Sequence, residues 1–329
     1  MIHRSIVESD LDRFLPLLVA DPASTLTADL YRAKLADGQY RPEWTWIAED
    51  PSGVPSGGVP LAVAVWWGNR GEPTPGALDA VYVHESVGSP AQRTALAAEL
   101  LTSAHAAYAR DGAAVPPAFH IFLPGDWRER PDVVAALEWR REVARHAGLP
   151  RSLERLRYEW TPAAGVSAPT SGPPLSGRLR FSAEPDDEVF VDLFRRVLED
   201  TLDATTRRAA EQVGTAQQAR ADVEFYRDHM LGDRSWWRVA RTPEGEAVGF
   251  GLPSRNNGGP VVGYLGVLPE HRGRGYVDEI LAEITRILVA ETDPAHIRSD
   301  TDLTNTPTAA AMERAGYRNF ARRLVLSAD

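Results

Sequence analysis

The 329-residue sequence contains no cysteine. Disulfides, thiolate metal sites and a cysteine nucleophile are thereby excluded together, and nothing marks an oxidising compartment. Lysine is nearly missing as well: of 36 basic residues only Lys34 is one, a skew that carries no mechanism. Positive charge is in deficit, 36 basic residues against 46 acidic ones, for a net charge of −10. That deficit is shared evenly between the two halves and argues against a surface built to neutralise nucleic-acid phosphates. No apolar run approaches the roughly 18 residues a membrane span needs. The opening segment MIHRSIVESDLDRF is acidic and has no apolar centre, unlike a signal peptide. A cytoplasmic protein with no membrane and no nucleic-acid partner is expected. The eight histidines are scattered, with no HExxH and no paired ligand spacing, so no metal site is expected.

What is present reads as globular. Apolar residues make up 43% and charged residues 25%, and the length suits two domains. The clearest boundary is Thr161 to Gly177, TPAAGVSAPTSGPPLSG, built from Pro, Gly, Ser, Ala and Thr. Such a stretch buries too little surface to offset its ordering entropy. The expected organisation is a first domain over 1–161, a linker over 162–177 and a second domain over 178–329.

Both halves show a similar order of elements. In the second half, helical periods run over Asp186–Asp200, about Ala204–Met230, Arg274–Ala290 and Pro307–Ala315. Strand-like runs occupy Leu179–Ala183, Ser235–Ala240, Ala247–Leu252, Val261–Leu268, His296–Asp300 and Arg323–Leu326. Asn256-Asn257-Gly258-Gly259 is a turn signal that makes its flanking strands antiparallel neighbours. The first half offers helices at Leu11–Val19, Thr27–Ala36, Pro90–Arg110 and Pro131–His146. Its strands fall at Trp44–Glu49, Leu61–Trp67, Leu78–Val83, Phe119–Leu123 and Arg155–Trp160. The repetition is read as a tandem duplication of one α/β domain, with two unrelated α/β domains as the rival.

One segment carries chemistry. In Tyr264-Leu-Gly-Val-Leu-Pro-Glu-His-Arg-Gly-Arg-Gly-Tyr276 an apolar strand ends at Pro269, an Arg/Gly turn follows and an amphipathic helix begins. Gly273 and Gly275 allow a tight turn and close approach of backbone to a ligand. The helix start then presents unpaired N–H groups and the positive end of its dipole, with Arg272 and Arg274 adding charge. This is a site for a phosphate or pyrophosphate.

Val267-x-Pro269-Glu270-x-Arg272-Gly273-x-Gly275 resembles the acyl-CoA-binding motif of the GNAT superfamily of N-acyltransferases. Arg272 and Gly275 match the Gln/Arg-x-x-Gly-x-Gly/Ala signature, while Val277 stands where Gly or Ala is usual. Asn305, Gly316 and Tyr317 match the downstream pattern. The resemblance covers about Leu179 to Leu326 and reaches the first half only through element order. It implies two tandem GNAT-like α/β domains, each a mixed, mostly antiparallel sheet flanked by helices. Mycothiol synthase resembles this tandem arrangement. It further implies acetyl-CoA as co-substrate. The pantetheine arm lies in a V between the fourth and fifth strands, against Leu265 to Leu268. The pyrophosphate rests on the amides of Arg272, Gly273, Arg274, Gly275, Tyr276 and Val277. An acceptor amine attacks the thioester directly, with the Val267 N–H polarising the carbonyl. Asn305 either seats the cofactor or caps a helix.

The proton chemistry departs from the family. Met312 stands where a Tyr acid is common and Val261 about where a Glu base is common, and neither transfers a proton. Candidates are Asp300, Asp302, Tyr264 and Tyr317, with turn capping and core packing as their competing roles. In the first half, Val83 to Pro90 has one Gly, no Arg and the repelling Glu85, so that copy is expected to be degenerate and not to bind CoA. The resulting expectation is an N-acetyltransferase acting on an amine of a small molecule. The alternatives are a non-catalytic CoA-binding sensor or scaffold, and a mycothiol-synthase-like amide-forming acyltransferase.

Overall fold

A computed structural model of the chain describes residues 1–50, 60–162 and 177–328. Most of the expected linker therefore lies outside the described residues. Two compact units emerge, Met1–Glu154 with Arg322–Asp329, and Arg155–Ala321. They do not follow the expected halves: Arg155–Ala321 takes in the six residues before the Pro/Gly/Ser stretch, and the other unit takes in the last eight. The physical reason is strand pairing and burial, shown below.

The first unit runs β1 (Ile2–Ser5), α1 (Leu11–Phe14), α2 (Ala28–Ala36), β2 (Thr45–Glu49), β3 (Ala62–Trp67), β4 (Ala77–Val83), α3 (Pro90–Arg110), β5 (Ala118–Pro124) and α4 (Pro131–His146), then enters β6 (Arg151–Trp160). Strands β1 to β4 pair antiparallel in sequence order, and β5 joins β4 in parallel. The expected helix Leu11–Val19 is instead two short pieces, Leu11–Phe14 and the 3-10 turn Leu15–Leu17, because Pro16 cannot donate within a continuous helix. By contrast, α3 has the bounds its sequence announces: Pro90 sits at its first turn, and Ser89 and Gln92 form a reciprocal capping box. Leu324 and Leu326, at 1% and 2% exposure, belong to this unit's core among Leu100, Phe119, Ile121 and Leu137. Leu324→Ala is expected to cost about 2–5 kcal/mol, the range for emptying a buried leucine site, read by urea denaturation. A loss under 0.5 kcal/mol, on the order of a surface substitution, would contradict the placement.

The second unit runs β7 (Arg180–Ala183), α5 (Asp187–Leu198), α6 (Ala204–Val213), α7 (Thr215–Asp228), β8 (Arg238–Arg241), β9 (Ala247–Asn256), β10 (Gly259–Val267), α8 (Tyr276–Thr292), β11 (Ile297–Asp302), α9 (Thr306–Arg314) and the start of β12 (Arg318–Ser327). Its sheet has the order β7-β8-β9-β10-β11-β6. The β6 segment Arg155–Trp160 pairs antiparallel along the whole of β11, and its Leu156 and Tyr158 enter the core that holds Leu281, Ile284 and Met312. The polar stretch expected as one helix is two, because Gly214 at φ +88° breaks it between α6 and α7. The Asn256–Gly259 signal does form the β9–β10 hairpin.

Each face of this sheet is covered by helices. Helices α5 and α7 lie over Phe250 and Leu252, with Phe190, Phe194, Ala219 and Val223 between them. On the other face α8 packs closely because β9 carries glycines. A Cβ at Gly249 or Gly251 would come within 2.8 Å of Ile280 or Ile284 respectively. Trp237 is a core residue, edge-on to Phe190 with ring centroids 5.1 Å apart, while Trp236 is only half-buried. Among the described residues no helix is long and apolar enough to cross a membrane.

Candidate active site

The site is built on an irregularity in β10. Its antiparallel register with β9 shifts between Val262 and Tyr264, leaving Gly263 as a bulged residue. A bulge bends the strand that carries it. Accordingly the parallel register between β10 and β11 is the single pair Val261↔Arg298. Beyond it the two strands separate toward their C-terminal ends, and a V opens between them. Glycine is needed at the bulge: a Cβ there would lie 2.7 Å from the Leu252 carbonyl oxygen. The exposed carbonyl of Gly263 is taken by Tyr226 of α7, whose hydroxyl donates to it at 2.8 Å.

Past the bulge, alternation decides which backbone groups line the opening. The Leu268 N–H donates to Val248 of β9 at 2.9 Å, so the N–H groups of Leu265 and Val267 face the other way, into the V. Side chains alternate across the sheet in the same register. Leu265 and Val267 pack on the α8 face, and Tyr264 packs on the α5–α7 face.

The turn after β10 positions the start of α8. Gly273 and Gly275 both have φ +75°, the left-handed region where glycine is favoured. Gly275 is the N-cap of α8, no side chain caps the helix, and the Tyr276 and Val277 N–H groups have no acceptor among the described residues. A 17-residue helix thus ends in an open, positively polarised terminus beside a glycine turn, which fits a pyrophosphate.

The two arginines of the motif are used differently from expectation. Arg272 donates to three backbone carbonyls, those of Val267 at 3.2 Å, Asp200 at 3.1 Å and Val197 at 3.2 Å. Its guanidinium ties the turn to the C-terminus of α5 and so fixes the shape of the loop. Arg274 donates to the Glu270 carbonyl at 3.3 Å. A third arginine, Arg178, was not singled out from sequence. It donates to the Arg274 carbonyl at 3.0 Å, pairs with the buried Glu279 at 2.7 Å and lies over the Tyr276 ring. Only its closeness to the motif in space reveals it.

The expected proton-transfer residues divide. Asp302 is fully buried. One carboxylate oxygen accepts from the Ala204 N–H at 2.7 Å and the other pairs with Arg155 at 3.1 Å, so it anchors the start of α6 and is not placed to take a proton from an acceptor. Asp300 pairs with Arg157 at 3.4 Å. Tyr317 is buried, with its hydroxyl 2.8 Å from Thr285. Burial pushes that hydroxyl up from its ordinary value. Asn305 accepts from the Thr308 N–H and caps α9. Tyr264 is half-buried between Phe194 and Phe250, ring centroids 4.6 and 5.5 Å away, and burial raises its hydroxyl well above the usual tyrosine range. It stays protonated and cannot serve as a base near neutral pH.

Sequence reasoning passed over two further groups, Asp222 and Tyr226. Both lie on α7, one turn apart, at the border of its buried face formed by Ala219 and Val223. A carboxylate at the edge of an apolar stripe was the available signal.

The first unit has the same bulge without the same turn. Its β3–β4 register shifts between Val65 and Trp66, passing over Asp79, and β5 pairs with β4 only at Ala77 and Leu78. Here, however, α3 begins with its own Ser89 cap and a proline, so the helix start is already satisfied.

With this geometry in hand, residues 182–318 match the family model of the acetyltransferase (GNAT) domain. This part of the chain is a GNAT acetyltransferase domain. The whole chain is similar in fold to solved GNAT structures, one of them a tandem protein. A GCN5-related N-acetyltransferase from Sphaerobacter thermophilus aligns over 98% of this chain and 94% of its own, with 17% identity and a TM-score of 0.53. A tandem GNAT protein from the clavulanic acid biosynthesis pathway aligns over 100% and 98%, with 16% identity and a TM-score of 0.52. A GCN5-related glucosamine N-acetyltransferase region within a fungal multi-domain GH3 β-N-acetylglucosaminidase aligns over 98% of this chain and 38% of its own, with 13% identity and a TM-score of 0.50. No curated protein matches the chain in sequence. The tandem α/β architecture expected from element order is thus the observed fold, and the GNAT domain makes the protein an acyltransferase.

Proposed function

We propose that the GNAT domain transfers an acetyl group from acetyl-CoA to an amine of a small molecule, by direct attack and without an acyl-enzyme. The observation that carries this reading is the bulge at Gly263, which opens the V and turns the Val267 N–H into it. Acetyl-CoA supplies the acyl group as a thioester. The backbone of Leu265 to Leu268 lines the pantetheine arm, and the loop Arg272 to Val277 receives the pyrophosphate on the open end of α8. Val267 N–H donates to the thioester carbonyl oxygen and stabilises the charge that grows there, a preorganised effect typically worth about 3–4 kcal/mol in such sites. The remaining acceleration comes from holding the amine against the carbonyl carbon.

The test is release of free thiol from acetyl-CoA with butylamine, putrescine, spermidine, tyramine, glycine and glucosamine as acceptors. Because the protein has no cysteine, a thiol reagent reads only the CoA set free. Acceptor-dependent release is expected. Tight CoA binding with no release above background for any amine would replace the enzyme reading with a CoA-binding sensor.

The first unit's capped α3 supports a structural role for that copy. Glu85→Ala is accordingly expected to leave the CoA dissociation constant within twofold, measured by calorimetry. A large gain in binding stoichiometry would show a second site there.

A further inference from the structure

We propose that Asp222 is the catalytic base of this transfer, receiving a proton from the acceptor ammonium at the mouth of the V. This rests on the acetyl-transfer reading above and supplies the proton acceptor that Val261 cannot.

The placement is geometric. Tyr226 hydrogen-bonds the bulge carbonyl of Gly263 at 2.8 Å, which pins α7 against the point where β10 and β11 separate. Asp222 lies one helical turn earlier on the same face of α7. On the other arm, Asp302 at the end of β11 holds the start of α6 through Ala204, and Arg155 joins Asp302 to Asp203 at 3.1 and 2.9 Å. Helix α6, whose N-cap is Asp203, is thus tied to β11, and α7, with Asp222 and Tyr226, is tied to β10.

The two oxygens of Asp222 are not equivalent. Gln218 donates to Oδ1 at 2.8 Å, fixing the carboxylate. Oδ2 is buried and has no hydrogen-bond partner among the described residues, a costly condition unless another donor uses it. An ammonium group is such a donor.

The surroundings tune it. Asp203 faces it from the N-cap of α6, with Arg155 behind, and Tyr226 and Tyr264 face the same cluster from α7 and β10. From α5, Glu188 and Asp187 are engaged by Arg220 and Arg227. Burial, aided by Asp203, pushes the Asp222 carboxyl up to about 6. A base with that value is largely ionised at pH 7.5 and basic enough to matter.

The acceptor ammonium gives one proton to Asp222 Oδ2. The freed amine lone pair forms the C–N bond, and the C–S bond breaks with its electron pair on sulfur. The second nitrogen proton passes to that sulfur as CoA leaves as a thiol, and Asp222 returns its proton to solvent.

The experiment uses the full chain, acetyl-CoA and whichever amine of the six is turned over fastest, for wild type, Asp222→Asn and Asp222→Glu. Wild-type kcat/KM is expected to fall as pH drops through about 6. Asp222→Asn should lose about 100-fold or more at pH 7.5 and lose that acid limb, with CoA affinity within twofold. Asp222→Glu should recover part of the rate and keep the limb. A carboxyl whose folded-state value is raised costs stability once ionised, so Asp222→Asn should melt no lower than wild type at pH 8. Retained rate or a retained acid limb in Asp222→Asn overturns this inference alone. A wild type that turns over none of the six amines overturns the transfer reading and this inference with it.

Discussion

Arg155→Ala is expected to lower the free energy of unfolding by about 3–5 kcal/mol. The guanidinium lies between Asp302, whose side chain is wholly buried, and Asp203, which is partly buried. A buried ion pair adds little relative to an apolar replacement, since both charges must leave water. Removing one partner is different, because the Asp302 carboxylate then keeps its desolvation cost without its counter-charge. Adding Asp302→Asn in the Arg155→Ala background removes the stranded charge and should return part of the loss. Urea denaturation of the two single variants and the double variant closes the cycle. A loss below about 1 kcal/mol for Arg155→Ala, the range of an exposed pair, would mean that water reaches Asp302.

Gly275→Glu is expected to weaken CoA binding at least 100-fold, about 3 kcal/mol or more. The position is the left-handed N-cap of α8, so any side chain adds about 1–2 kcal/mol of backbone strain. Space itself is not limiting: a Cβ there has its nearest neighbours, Arg178 Nη2 and Asp278 Oδ2, at 3.7 Å. The variant should therefore fold. What changes is charge, since a carboxylate stands where the helix start is open to an anion. Gly275→Ala carries the strain without the charge and should lose no more than about tenfold, on the order of that strain. Calorimetric titration with CoA separates the two. Equal losses in both would assign the effect to backbone shape, and undiminished binding in Gly275→Glu would move the pyrophosphate elsewhere.

Much of the fold was legible because its signals are local. Ser89, Pro90 and Gln92 fix the start of α3, and Asn256 to Gly259 fix a hairpin. The glycines at 273 and 275 fix the turn before α8. The strand β1 and the membership of Arg155–Trp160 and Arg322–Ser327 were not legible, since a strand's partner has no signature in the strand itself. The site was legible to the same degree. Leu265 and Val267 could be placed by counting from the glycine turn. The roles of Asp302, Arg272 and Arg178 depend on carbonyls and carboxylates far off in sequence, so composition could not separate a clamp from a ligand-binding charge. Asp222 was missed because a polar helix hides a carboxylate that only the fold half-buries.

The division of β12 has a consequence for how the chain is made. Leu324 and Leu326 belong to the core that also holds Leu100 and Phe119. On the ribosome, they are translated after every helix of the other unit. The first unit must therefore wait with an unfilled hydrophobic layer while the second is synthesised, a window in which a nascent chain is most exposed to aggregation and most dependent on chaperones.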